Sequence, residues 1–99
     1  MALESDLERK IVDFVESLGG RAWKWVSPGR RGVPDRIIFL PGGIIIFAEI
    51  KKPVLKEGRS PQQIKVARIL TALGARVWRV ADLEEFKRDI QALVISEVR

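Results

Sequence analysis

A largely apolar stretch of the chain carries three residues whose types could do chemistry. The segment GVPDRIIFLPGGIIIFAEIKK covers residues 32–52 and contains Asp35 near its start, then Glu49 and Lys51 near its end. The chain has no Cys and no His, which excludes thiol nucleophiles, imidazole bases, disulfides and zinc fingers. Any bound metal must therefore be held by oxygen atoms, which favours hard ions such as Mg²⁺ or Mn²⁺.

Two predicted strands bring the two acids together. Residues 35–40 and 44–51 are rich in β-branched and apolar side chains, and the loop at 41–43 contains two glycines suited to a tight reversal. Folding the chain about the middle of that loop places Asp35 opposite Glu49. Side chains opposed on one face of a hairpin lie about 4.5–5.5 Å apart at Cβ.

Two carboxylates at that distance repel each other, and an apolar sheet adds a desolvation cost, so a nearby cation is needed. Lys51 shares a strand face with Glu49 and supplies one positive charge. A divalent ion would supply more, and the backbone carbonyl of Ile50 offers it a further oxygen. The alternative is that Glu49 and Lys51 are ordinary exposed residues at a strand end and that Asp35 only begins a strand.

The remainder of the chain predicts helices and strands around this hairpin, in the order helix, three strands, helix, strand, helix. The 46% hydrophobic content is enough for one α/β domain over residues 1–99. Alternation puts Trp23 and Trp25 on one strand face, where we expect them to pack in the core, although their interleaving with cations also fits a surface on which bases stack. The predicted elements outside the hairpin are helix 3–18, strand 21–26, helix 61–73 capped by Ser60, strand 75–80 and a last helix opened by Asp82 and Glu85.

Charge and hydropathy limit where the protein acts and on what. Eighteen Lys and Arg against 13 Asp and Glu give a net charge of +5, which favours a polyanionic partner. The longest apolar run, residues 44–48, is far shorter than a bilayer span, and the charged amino terminus lacks a signal-type apolar region. We therefore expect no membrane association and a cytoplasmic location, in a bacterium or a phage-infected cell.

The motifs are similar to a known nuclease family. The segment GVPD, thirteen intervening residues and then EIK resembles the signature of the PD-(D/E)XK superfamily, and GVPD…EIKKP…SPQQ is similar to its VRR-NUC branch. The similarity also covers ESDLERKIVDFVESLGG and LGARVWRV. It implies a restriction-endonuclease-like α/β core, with a central mixed four-stranded sheet flanked by helices in the order αβββαβ plus a C-terminal helix.

The resemblance also implies a chemistry, the hydrolysis of DNA phosphodiester bonds by an endonuclease that uses Mg²⁺ or Mn²⁺. It makes Asp35 and Glu49 metal ligands together with the Ile50 carbonyl, and Lys51 the residue that orients or activates the attacking water. Gln63, the last residue of SPQQ, matches a Gln found near such sites, although it equally fits a helix-capping box.

The same family implies an acid from the first helix. On a helical wheel Glu4 lies within the apolar arc and Glu8 lies at its edge. The family pattern of an acid followed at the third position by Leu or Ile fits Glu4, and the helix-to-glycine spacing of related junction resolvases fits Glu8. Both remain open, as do two structural alternatives: a capping box of Glu8 with Ser5, and a solvated helix start for both acids.

Substrate contacts are expected from basic residues that flank the proposed site and would neutralise phosphates. A domain of this size has little surface for reading a sequence, so we expect selectivity for branched DNA such as a four-way junction, cut by a homodimer with two sites. The alternatives are a non-enzymatic nucleic-acid-binding module and a flap or linear-duplex nickase with the same site. The basic residues are Lys24, Arg30, Arg31, Lys52, Lys56, Arg59 and Lys65.

Overall fold

Four strands and three helices follow one another in the predicted order. The computed structural model describes residues 5–51 and 59–97, so the predictions for Glu4, Lys52 and Lys56 lie outside the described residues. No helix in the described ranges is long and apolar enough to cross a membrane. The elements are α1 (Asp6–Ser17), β1 (Arg21–Lys24), β2 (Arg36–Leu40), β3 (Ile44–Ile50), α2 (Pro61–Ala72), β4 (Arg76–Val80) and α3 (Leu83–Glu97).

The strands form one mixed sheet in the order β1-β2-β3-β4. The first two pairs are antiparallel and β3 pairs with β4 in parallel, as a right-handed crossover through α2 allows. Leu40 pairs with Ile44 across the loop, which confirms the predicted hairpin register. Gly42 and Gly43 both have positive φ, 91° and 79°, so the reversal uses the conformation that glycine adopts without steric cost.

One face of the sheet carries the main core. The even-numbered residues of β2 and β3 point to this face and are buried, and α1 and α3 cover it with Ile11, Val15, Phe86 and Ile90. Trp78 of β4 packs edge-on against Phe86, with ring centroids 6.2 Å apart. Burial of these side chains is the main force that holds both helices on the sheet, at about 1.5–3 kcal/mol for each large apolar residue.

The opposite face is only half covered. Helix α2 lies over the β3–β4 side with Val66 and Ala67 buried, while the β1–β2 side has no helix among the described residues. The core prediction for the tryptophans is therefore wrong for Trp23, which is 62% exposed and packs edge-on against Phe39 at a centroid distance of 5.5 Å. Trp25 is partly buried and packs against Phe47, with ring centroids 5.3 Å apart.

Helix starts follow their sequence signals. The side chain of Ser60 accepts from the N–H of Gln63, and the Gln63 side chain accepts from the N–H of Ser60, so the predicted capping box is present. At α3, the Asp82 carboxylate accepts from the Glu85 N–H at 2.8 Å. These bonds satisfy N–H groups that a helix leaves without partners in its first turn.

The loop before β2 packs directly against the start of α2. Gly32 has φ +86°, and a Cβ at this position would lie 2.4 Å from the backbone carbon of Gln62 and 2.8 Å from the nitrogen of Gln63. Only a residue without a side chain fits this approach. The contact fixes the amino end of α2 relative to Asp35, which lies three residues beyond the glycine.

We predict that Gly32→Ala lowers the free energy of unfolding by about 3 kcal/mol or more, because it adds a backbone clash to the cost of a left-handed φ. Gly42→Ala is the matched control, since its φ is +91° and nothing lies within 4 Å of an added Cβ. That variant is expected to lose only about 1–2 kcal/mol. Urea denaturation of both variants measures the difference, and equal losses would contradict the close packing of the loop on α2.

Candidate active site at the carboxyl end of strand β3

Asp35 is held where the first three strands meet. The β2–β3 ladder pairs Arg36 with Ala48, and one further step places Asp35 across from Glu49, as the hairpin count predicts. The Asp35 Oδ2 atom accepts from the N–H of Ile50 at 2.7 Å, and its backbone carbonyl accepts from the N–H of Trp25 at 3.1 Å. The carboxylate is therefore aimed at the last residues of β3.

At Ile50 the β2–β3 ladder departs from the regular pattern of backbone hydrogen bonds. The Ile50 N–H bonds toward β2 and the Lys51 N–H bonds to the Val80 carbonyl of β4 at 2.8 Å, so successive residues of β3 alternate between the two neighbouring strands. Pro34 would stand opposite Ile50, and proline has no N–H to donate. A regular ladder would therefore offer the Ile50 carbonyl oxygen no backbone donor from residue 34.

Glu49 is a buried carboxylate that forms an ion pair with an arginine. Its residue exposure is 4%, and Arg59 reaches it with two N–H donors, from Nε to Oε2 at 2.7 Å and from the second guanidinium nitrogen to Oε1 at 3.2 Å. This bidentate geometry is the strong form of a carboxylate–guanidinium pair. Arg59, predicted from sequence as a DNA contact, thus neutralises Glu49 in this structure.

Lys51 is exposed at the end of β3, whereas the Gln63 side chain is used in a helix cap. Lys51 follows β3 directly, its N–H is anchored to β4, and its side chain is exposed, so its ammonium group is open to a ligand. Gln63 uses its Oε1 atom in the capping box, where it accepts from Ser60 at 2.8 Å. The capping alternative is confirmed, and a part for Gln63 in the reaction stays a prediction.

Glu8 belongs to a second buried ion pair, on the other face of the sheet. Arg36 Nε donates to Glu8 Oε2 at 2.8 Å, and Arg36 also donates to the Ala22 carbonyl at 2.9 Å. The Glu8 N–H donates to Ser5 Oγ at 3.1 Å, which is one of the two bonds of the predicted capping box. Glu8 is only 5% exposed, so the interpretation of a solvated helix start is wrong for this residue. Among the described residues no three acids cluster as metal ligands, so the structure does not bring Glu8 together with Asp35 and Glu49.

The remaining predicted DNA contacts lie at the surface. Each of these four side chains is exposed, and two of them sit in the loop that packs on α2. Their exposure permits phosphate contacts, which stay a prediction. The four residues are Lys24, Arg30, Arg31 and Lys65.

Sequence reasoning missed two arginines that matter to the site. Arg36 shares strand parity with the buried Ile38, so a charge on the core face could have been inferred from alternation alone. Arg79 lies in β4 directly beside Glu49 in the parallel register. That position could not be inferred, because the sequence does not specify which strand β4 joins or in which register.

We predict that Glu8→Ala lowers the free energy of unfolding by about 3–5 kcal/mol, because it removes a buried carboxylate to which the buried Arg36 donates at 2.8 Å. Glu16→Ala is the control, an exposed acid on the same helix whose removal should change stability by no more than about 0.5 kcal/mol. Thermal and urea unfolding measure both values. Unchanged stability in the Glu8 variant together with lost cleavage of DNA would instead place Glu8 in the reaction.

Comparison with known proteins agrees with this geometry. No family model matches the chain. The protein p44, an inferred nuclease of Acyrthosiphon pisum secondary endosymbiont phage 1, is 49% identical over 74 residues, which cover 75% of this chain and 77% of p44. A solved VRR_NUC domain superposes with a TM-score of 0.79 at 30% identity, over 89% of this chain and 94% of the other. The chain belongs to the VRR_NUC domain family, as its motifs indicated.

Proposed function

We propose that this protein is a DNA endonuclease that hydrolyses phosphodiester bonds with the help of Mg²⁺ or Mn²⁺. The observation that carries the proposal is the bond from the Ile50 N–H to Asp35 at 2.7 Å, because it brings acids of two strands to one end of the sheet. Membership of the VRR_NUC family and the nuclease name of p44 support the same chemistry.

The donor set suits a hard divalent cation. Asp35, Glu49 and the Ile50 carbonyl offer three oxygen atoms or more from two adjacent strands, and Mg²⁺ sites commonly combine one or two carboxylates with water. When bound there, the cation lowers the pKa of a coordinated water and offsets charge on the scissile phosphate. Glu49 would exchange its bond to Arg59 for the cation.

The protein's own groups supply the remaining steps. Lys51 stands one residue beyond Ile50 and two beyond Glu49, with its backbone fixed to β4, so its ammonium can orient water and complement the negative charge of the transition state. Asp35 is oriented by the Ile50 N–H and cannot rotate without losing that bond. The order of events needs no covalent intermediate, which suits a chain without Cys or His.

We predict that Asp35→Asn lowers the rate of metal-dependent DNA cleavage at least about 100-fold, because it removes an anionic ligand while keeping the shape of the side chain. DNA affinity should stay equal or rise, since a negative charge facing phosphate is lost. Cleavage and binding are measured on the same DNA. Asp89→Asn, an exposed acid on α3, is the matched control.

The non-enzymatic alternative gives a different result in that experiment. A pure binding module shows no cleavage that depends on Mg²⁺ or Mn²⁺ in the wild-type protein, so Asp35→Asn has nothing to abolish. Background cleavage that survives the substitution unchanged would contradict the proposed site.

Branched DNA is the proposed substrate. Within residues 5–51 and 59–97 the protein is one small domain, with exposed cations in the loop before β2 and on α2, and a domain of this size offers little surface for reading a base sequence. Cleavage of a four-way junction, a flap and a linear duplex at equal concentration tests the point. Equal rates on all three would rule out selectivity and favour the linear-duplex nickase.

A homodimer is the proposed active assembly. No described helix covers the β1–β2 side of the sheet face that bears Trp23, where Phe39 of β2 and the neighbouring Ile45 of β3 add to the apolar surface. One flank of α2 also exposes Ile69 and Leu73. A two-fold axis could place the α2 of each copy over the open sheet of the other, which supplies the two sites that a symmetric junction requires.

We predict that Ile45→Lys converts the dimer into monomers, because the open sheet face cannot bury an ammonium group. Ile95→Lys is the matched control on α3, where the residue is 58% exposed compared with 42% for Ile45. Sedimentation equilibrium should give twice the 11.2 kDa chain mass for the wild-type protein and the control, and the single mass for the Ile45 variant. A wild-type monomer at micromolar concentration would contradict the proposal.

A bacterial or phage-infected cytoplasm is the proposed place of action. The phage origin of p44 and the absence of a membrane-spanning helix within the described residues support it.

A further inference from the structure

A groove runs between α2 and β4 on the sheet face that carries Glu49. We call it the α2–β4 groove. Three arginines line it together with one hydroxyl and apolar side chains, and its described lining includes no Asp or Glu. The residues that matter here are Arg59, Ile64, Arg68, Thr71, Val77 and Arg79.

Two of the three arginines in the groove carry positive charge that no described residue neutralises. Arg68 and Arg79 are exposed, and neither forms an ion pair with a residue in the described ranges. Arg59 alone among the three arginines is paired, with Glu49. Guanidinium groups concentrated in a concave surface raise the local potential and attract anions.

The groove opens onto the proposed active site. Arg79 of β4 stands beside Glu49 in the parallel register, and Arg59 bonds to Glu49 from the other side. Both arginines therefore belong to the end of the groove nearest the acids. Arg68 lies on α2, farther from Glu49 along the helix, so a strand leaving the site would pass from one cation to the next.

The size of the groove suits a nucleic-acid strand. Ile64, Arg68 and Thr71 are spaced by four and three residues and so lie along one flank of α2. Residues 64–71 rise about 10 Å along the helix, which equals about three nucleotides of a B-form strand. This flank is distinct from the one that exposes Ile69 and Leu73.

We propose that the α2–β4 groove binds the phosphate backbone of one DNA strand next to the cleavage site. Arg68 and Arg79 contact phosphates through paired N–H donors, Thr71 donates its hydroxyl, and Ile64 and Val77 pack against the sugars. The inference rests on the proposed function, since it assigns the path of the same substrate.

The salt dependence of DNA affinity tests this assignment. Arg68→Ala with Arg79→Ala should weaken binding on the order of tenfold at 0.1–0.2 M salt and lower the slope of log K against log salt by about 1.8, or 0.9 for each lost phosphate contact. Binding is measured without divalent cations so that no DNA is cut. Arg88→Ala is the control, an exposed arginine on α3 across the sheet, and it should leave the slope unchanged.

Two further measurements separate a phosphate contact from a folding defect. Arg68→Lys with Arg79→Lys keeps both charges and should retain the wild-type slope. Because the chain has no Cys, Thr71→Cys and Gln91→Cys each provide a single attachment point for a photo-crosslinker. Crosslinks to DNA are expected from position 71, in the groove, and not from position 91, on α3.

The outcomes distinguish this inference from the proposed function. If the wild-type protein cleaves and binds DNA, but the slope of log K against log salt is the same for the groove variant and for Arg88→Ala, the groove assignment is overturned and the endonuclease proposal stands. Equal crosslinking from both cysteines, or preferential binding of an acidic peptide over DNA, would overturn it as well. A reduced slope in a protein that never cleaves DNA would support the groove and refute the enzyme.

Discussion

The structure depends on how the β2–β3 ladder ends. Pro34 has no N–H to donate to the Ile50 carbonyl, and the Ile50 N–H donates to the Asp35 carboxylate at 2.7 Å. The contact between Ile50 and Asp35 thus ends the β2–β3 ladder and also holds an acid at the end of β3. A regular ladder would have used the backbone groups of Ile50 for pairing and turned Asp35 toward solvent. The proline and the acid next to it in sequence act together, because one removes a donor and the other supplies an acceptor.

Among the described residues, each face of the sheet buries one acid, and each of these two acids is paired with an arginine. Glu8 of α1 and Arg36 of β2 meet on the α1 face, where their side chains are 6% and 8% exposed. Glu49 and Arg59 meet on the α2 face, where their side chains are 5% and 25% exposed. The difference in exposure separates their roles. The Glu8 pair is enclosed and suits a structural part, whereas the Glu49 pair has an arginine that solvent, and therefore a ligand, can reach.

Local patterns predicted the hairpin well and the covering layers poorly. The register of β2 and β3 follows from a short glycine loop and from alternation, both of which act over a few residues. Whether a helix covers Trp23 depends on the placement of α2 over the sheet, which alternation does not specify. The Arg36–Glu8 pair joins residues 28 apart in sequence, so its partners were equally out of reach. The caps at Ser60 and Asp82 were predictable because their bonds span three residues.

Under the proposed function, the Glu49–Arg59 pair would make divalent-cation binding and phosphate binding parts of one equilibrium. A cation that displaced Arg59 from the Glu49 carboxylate would release a guanidinium at the groove entrance, where it would favour a polyanion. By thermodynamic linkage, a polyanion that bound Arg59 would increase the affinity of Glu49 for the cation by the same factor as the cation increases the affinity of Arg59 for the polyanion. Without either ligand the two side chains satisfy each other, and the resting protein keeps a compensated interior at this end of the sheet.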